Sequence, residues 1–176
     1  MKLTRLSAAV GAAVLPAATV LAVAAAGPAA AAKAVPPCPA SALHVHLGPG
    51  SAAAGSTLYA LHFTNTTKGT CRLTGFPGVA GLSAKGAQVG VPAALRGSRV
   101  TVTLRHGKTA TAWLRETDTG LYSRSVCKPK RLKWLGVYAP NTRTRKLVPA
   151  SHFYPGCSTR HVYMHVTSVG GLQREA

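Results

Sequence analysis

The chain has 176 residues and a formal charge of +18, because 21 lysines and arginines are set against only three acidic residues, Glu116, Asp118 and Glu175. So few carboxylates exclude a carboxylate-dyad hydrolase, an all-oxygen calcium cage and a two-metal phosphoryl-transfer site. Anion binding stays open.

Residues 1–32 read as a cleaved secretory signal peptide. Lys2 and Arg5 form a positive start, an apolar run spans 6–26 with Pro16 inside it, and an A-x-A site at 30–32 would release a chain beginning at Lys33. The run is long enough to cross a bilayer, but its alanine-rich composition, Pro16 and Gly27-Pro28 leave little drive to insert. No transmembrane anchor is therefore expected after cleavage. Cys38 follows Val35-Pro36-Pro37 and lacks the small, leucine-led tetrapeptide of a lipoprotein site. Residues 33–176 are expected to form a single domain, monomeric and secreted to the extracellular space or cell wall.

Beyond the signal the pattern is a series of short strands. In 42–47, Leu43, Val45 and Leu47 share one face, and His44 and His46 the other. After Gly48-Pro49-Gly50, residues 57–64 place Tyr59, Leu61 and Phe63 on one face, a core-strand signature. A polar turn over 65–69 leads to a return strand at 71–74, and Pro77-Gly78 suits the centre of a type II turn. Strands follow at 79–82, 100–104 and 109–114, the last two joined as a hairpin through Arg105-His106-Gly107-Lys108. Candidates at 132–138, 147–148 and 161–169 complete the set. No stretch sustains helical periodicity for about ten residues without glycine, proline or a β-branched interruption. The expectation is an all-β fold, an antiparallel β-sandwich of immunoglobulin-like or Greek-key type with about seven to nine strands.

Four cysteines, Cys38, Cys71, Cys127 and Cys157, form an even set in an exported chain, which reads as two disulfides. Three pairings are formally possible. Cys38–Cys71 and Cys127–Cys157 are favoured, since each closes a loop of about thirty residues between neighbouring strand candidates and would contribute roughly 3–4 kcal/mol. No C-x-x-C pair points to a metal instead.

Several of these segments carry a resemblance. A cysteine opens the domain at 38, Ala52-Ala53-Ala54-Gly55-Ser56 follows, and a tyrosine strand ends in Phe63-Thr64-Asn65-Thr66. Then come Thr70-Cys71-Arg72-Leu73-Thr74-Gly75-Phe76-Pro77-Gly78-Val79, a Lys85-Gly86 turn and Val89-Gly90. With Val102-Thr103-Leu104, the alanine-rich strand before Trp113, Cys127 and Cys157, the chain resembles the actinobacterial exported domain-of-unknown-function family 4232 over essentially all of 33–176. The specific part is the threonine–asparagine turn followed by Cys-x-Leu-x-Gly-aromatic-Pro-Gly-Val. The resemblance implies a secreted or lipid-anchored envelope protein with a β-sandwich and two disulfides, and it supplies no catalytic residue. The strongly basic balance is this chain's departure from the family.

Charge supplies the main candidate chemistry. Lys128, Lys130, Arg131 and Lys133 form one basic stretch, and Arg143, Arg145 and Lys146 a second, flanking the strand at 132–138; Arg96, Arg99, Arg105 and Lys108 are a looser set. Such clusters attract phosphate polymers, anionic lipids or extracellular DNA, although a charged run also serves as a solvated face. Sequence-specific nucleic-acid recognition is not expected, because nothing resembles a recognition helix; Trp113, Trp134, Tyr122 and Tyr138 read equally as core residues or stacking platforms.

Histidine is the other chemistry. If the first and last strands were adjacent, His44, His46, His161 and His165 would assemble for zinc or copper, but water-facing strand positions hold polar residues anyway, and no metal or other cofactor is expected. Ser123, Ser125, Ser151-His152 and Ser158 occur without a G-x-S-x-G elbow, and Glu116 and Asp118 read as a turn or a local ion pair with Arg115. Asn65-Thr66-Thr67 matches a glycosylation sequon inside a tight turn. The sequence therefore points to a non-enzymatic binding module of the cell envelope that contacts an anionic cell-wall or extracellular polymer. The alternative is an exported inhibitor of an extracellular enzyme, presenting the proline-bearing loop 120–129.

Overall fold

The computed structural model describes residues 33–176; the expected signal segment, 1–32, lies outside the described residues. In chain order the strands are β1 (Leu43–Ala53), β2 (Ser56–Asn65), β3 (Cys71–Thr74), β4 (Gly78–Leu82), β5 (Ala94–Arg96), β6 (Thr101–Leu104) and β7 (Thr109–Thr117). After one helical turn, α1 (Arg124–Cys127), come β8 (Pro129–Lys130), β9 (Trp134–Tyr138), β10 (Arg145–Pro149), β11 (Gly156–Cys157) and β12 (Met164–Thr167). No helix among the described residues is long and apolar enough to cross a membrane.

The main sheet has the order β1-β2-β7-β12-β5; β10-β9-β4 form a second sheet, and β3-β6 and β11-β8 are two-stranded. Alternation explains the main sheet. Tyr59, Leu61 and Phe63 of β2 point inward beside Ala110, Ala112 and Leu114 of β7, with Phe63 opposite Ala110 and Leu61 opposite Ala112. Bulky side chains thus lie next to small ones. They share one buried cluster with Leu73, Val79, Leu104 and Val137 from the smaller sheets, which is how two layers close over a common core. Burying a leucine or phenylalanine there contributes about 1.5–3 kcal/mol each.

Each of the nine expected strand segments overlaps an observed strand. The three further strands, β5, β8 and β11, are two or three residues long, too short to show any period. One pairing breaks the antiparallel rule: β5 runs parallel to β12. β1 continues through Gly48-Pro49-Gly50 to Ala53 because a bulge between Leu47 and Gly50 absorbs the irregularity. Proline is tolerated there because β1 is an edge strand. The final strand is shorter than 161–169, and Tyr163 is fully buried just ahead of it.

Two turns differ from expectation. Gly78 does not sit in the left-handed position of a type II turn; it opens β4 opposite Tyr138, and Gly75 takes the positive φ instead, at +90°. Residues 105–108 do not close a hairpin, because β6 pairs with β3 while β7 pairs with β2. The cause is Asn65, which is fully buried at that corner. Its Nδ2 donates to the carbonyls of Gly69 (2.7 Å) and Leu104 (3.0 Å), and its Oδ1 accepts from the backbone N and Oγ1 of Thr67. Its backbone N–H donates to Lys108 and its carbonyl accepts from Gly107, so the 105–108 turn is fastened to the end of β2.

The cysteines pair as Cys38–Cys71 and Cys127–Cys157, leaving no free thiol. The first ties the segment before β1 to β3. The second ties α1 to β11, and β11 pairs with β8.

Candidate anion-binding site

The first basic stretch is built on the second disulfide. α1 ends at Cys127, and Lys128 caps it in the left-handed region with φ of 47°. Its carbonyl accepts from the Ser158 hydroxyl at 2.8 Å, and the Thr159 hydroxyl donates to the Val126 carbonyl at 2.6 Å. β8 then pairs with Gly156 and Cys157. On this frame Arg124, Lys128 and Lys130 line a shallow cleft of about 500 Å³ with Ser158. All three cations are exposed.

Immediately onward, Leu132 is buried and anchors the chain between exposed Arg131 and Lys133. These two line a second cleft of about 590 Å³, together with Trp134, Ser151 and Phe153. The Lys133 Nζ lies 5.7 Å from the centre of the Trp134 ring, within cation–π range. Pro149, Ser151 and Phe153 also line an adjoining cleft of about 420 Å³ that reaches His46 and Tyr59, and Phe153 stacks on Tyr59 at 4.5 Å.

The second basic stretch lies elsewhere. Arg143 and Arg145 are exposed and Lys146 half-buried; Arg145 pairs with Tyr138 and Lys146 with Val137. This is the far end of β9 from Lys133. At about 3.3 Å per residue, β9 separates the two groups by roughly 13 Å, more than a Debye length in physiological salt. The seven residues therefore form two patches, and Arg143, Arg145 and Lys146 line neither of the cationic clefts. Arg124 joins the first patch without having been singled out from sequence, and Trp134, read there as either a core residue or a stacking platform, stands in the cleft wall. The spacing of Arg124 and Lys128 by four residues was the available signal, since one helical turn puts them on the same side.

The acids are committed elsewhere. Asp118 caps a 3₁₀ turn, accepting from Gly120 N at 2.8 Å, and Glu175 accepts from Leu172 N at 3.1 Å. Glu116 corrects the expectation of a turn or an ion pair with Arg115. It lies within β7 on the core side and is fully buried, while Arg115 points to the opposite face, between Leu58 and His165 in register. Among the described residues neither Glu116 oxygen has a hydrogen-bond partner of full geometry, although the Tyr59 hydroxyl and the backbone of Tyr154 lie close enough to favour its charged form slightly. Burial pushes its carboxyl up to about 8, and burial followed by this carboxyl pushes the Tyr59 hydroxyl up to about 12.

The four-histidine set does not assemble, because β2 and β7 separate β1 from β12. His161 packs on Tyr122 at 4.2 Å, and His165 Nε2 lies 3.1 Å from Arg96 Nη2. Burial lowers the affinity of His165 for a proton, assisted by Arg96 and Arg115; His62 is lowered by burial and by His46. Among the described residues no three metal-ligating side chains converge on one point.

A two-layered, disulfide-stapled β domain with a cationic cleft defines the class structurally. Residues 38–173 match the family model described as Domain of unknown function (DUF4232), and the chain belongs to that family. No curated protein and no solved structure matches it.

Proposed function

We propose that this chain is exported by cleavage of residues 1–32 and acts outside the cell, without catalysis, as a binding module for an anionic cell-wall or extracellular polymer. The observation that carries this reading is the pair of neighbouring clefts lined by Arg124, Lys128, Lys130, Arg131 and Lys133, one of them with Trp134 and Phe153 in its wall. With the backbone held by the disulfide, β8–β11 and Leu132, only the cationic side chains need ordering when they bind phosphates, and the aromatic rings offer a surface for the less polar parts of each repeat. Arg143, Arg145 and Lys146 contribute as a second, weaker contact for a chain long enough to span β9.

The test is affinity for polyglycerol phosphate, with DNA as a comparison, across a salt titration. Affinity should fall steeply with salt. The triple variant Lys130→Ala, Arg131→Ala, Lys133→Ala should bind at least about tenfold more weakly, with a log–log salt slope shallower by roughly 2–3. A flat salt profile, or a triple variant that binds like wild type, overturns the reading.

One observation favours the inhibitor alternative. Leu121 and Val126 are 64 % and 45 % exposed on a segment fixed at its far end by Cys127–Cys157 and Pro129. A rigid loop presenting apolar side chains suits an enzyme's binding cleft. Capture of an extracellular enzyme that persists at high salt would support it.

A further inference from the structure

The outer face of the main sheet carries imidazoles that polymer binding does not use. His44 and His46 flank Val45 on β1; Val45 packs on the core, so both histidines project from the opposite face. His46 lies directly across from His62 of β2. The His44–His46 and His46–His62 ring centroids are 5.3 and 4.8 Å apart. With metal–nitrogen bonds of about 2.0–2.1 Å, two imidazoles on one ion hold their centroids roughly 4.5–5.5 Å apart. Taken in pairs, the rings already stand at that spacing.

Two further features prepare His62. Its Nδ1 lies 3.0 Å from Thr111 Oγ1 on β7, so a proton on Nδ1 donated to the threonine leaves the Nε2 lone pair free. Nε2 faces Gly48, where a Cβ would stand 3.3 Å away, so the missing side chain keeps its approach clear. The surroundings are neutral as well. By register the neighbours on this face are Thr64 and Thr109 beside His44, Thr111 beside His62, and Ala60 one step along β2. No lysine or arginine stands among these register neighbours, which lessens repulsion of a metal cation.

We propose that His44, His46 and His62 form a surface site for a divalent late transition-metal ion, with copper(II) bound more tightly than zinc. All-imidazole donors suit both metals, and copper(II) stands highest in the divalent affinity order. The rings lie in a row at rest, and convergence requires side-chain rotation of His44 and His46, both exposed. His62 stays fixed by Thr111. Bound metal would clamp the edge strand β1 to β2.

The experiment is calorimetric titration of the disulfide-bonded protein, free of any polyhistidine tag, with copper(II) and then zinc, alongside electron paramagnetic resonance of the copper form. One equivalent should bind with nitrogen hyperfine structure from several imidazoles. His46→Ala with His44→Ala, both on the surface, should weaken it at least about a hundredfold, and Thr111→Val roughly tenfold or more. His161→Ala and His165→Ala should leave it unchanged. Absence of binding, or copper held equally by the His44/His46 variant, overturns the site. So does zinc bound more tightly than copper.

Discussion

Lys128, Lys130, Arg131 and Lys133 ride on backbone held by a disulfide, a β8–β11 pairing and the buried Leu132, whereas Arg143, Arg145 and Lys146 lead into and occupy an ordinary hairpin strand. The two stretches carry comparable charge. The first borders concave surface with an aromatic wall, and the second borders none of it. Net charge alone does not distinguish them; the difference is how far the backbone under each cation is held and whether the cations line a cleft.

The largest blow to that contrast should come from the disulfide beneath the first stretch. The two bridges close loops of similar length, with sequence separations of 33 and 30. Removing either, as paired serines, should lower stability by roughly 3–4 kcal/mol in denaturant unfolding. Only the Cys127/Cys157 pair should also lose polymer affinity when measured where both variants remain folded. Equal affinity in the two would mean that the frame does not position the cations.

Glu116 offers a smaller effect, with a defined sign. It sits near Tyr59 and the backbone of Tyr154, whose chain neighbours Phe153 and Pro155 line the Arg131/Lys133 cleft. A carboxyl raised from 4.5 to about 8 on folding stabilises most when protonated, so stability falls as pH rises through that window. His62 and His165 are shifted down, which acts in the opposite sense and only below about their ordinary value of 6.5. Between pH 6.5 and 8 the Glu116 effect stands alone among these groups and should amount to about 2 kcal/mol. Glu116→Gln should flatten that interval in unfolding measured against pH. An unchanged slope would refute the assignment.

The smallest effect is expected from the second stretch. Arg143→Ala, Arg145→Ala and Lys146→Ala together should change affinity for polyglycerol phosphate by less than about threefold, in keeping with exposed charges that are largely screened. A loss matching that of the Lys130/Arg131/Lys133 variant would dissolve the distinction between the two patches.

Much of the architecture was legible because β2 and β7 alternate over long runs; the cysteine pairing also held, although it ties the segment before β1 to β3 and α1 to β11 rather than strand to neighbouring strand. Parity also held the clue to Glu116. Continuing Ala110, Ala112 and Leu114 by two residues puts it on the core face, although a charged residue invites reading as the end of the strand. The His46–His62 juxtaposition could not be read, since register depends on a bulge at Leu47/Gly50 that no local pattern announces. Neither could the corner at residues 105–108. Its turn chemistry is that of a hairpin, and only the long-range bonds of Asn65 direct β6 to another partner.

The same asparagine bears on how the protein is produced. Asn65-Thr66-Thr67 is an acceptor sequence for oligosaccharyl transfer, yet in the folded domain the side-chain amide is inaccessible and both its polar atoms are engaged. A eukaryotic secretory host attaches sugar to the nascent chain before such a corner closes. A glycan replaces one of the two Nδ2 hydrogens, so at least one of the bonds to Gly69 and Leu104 would be lost, and its bulk does not fit a fully buried corner. Bacterial export, or a host lacking that transferase, avoids the conflict without altering the sequence.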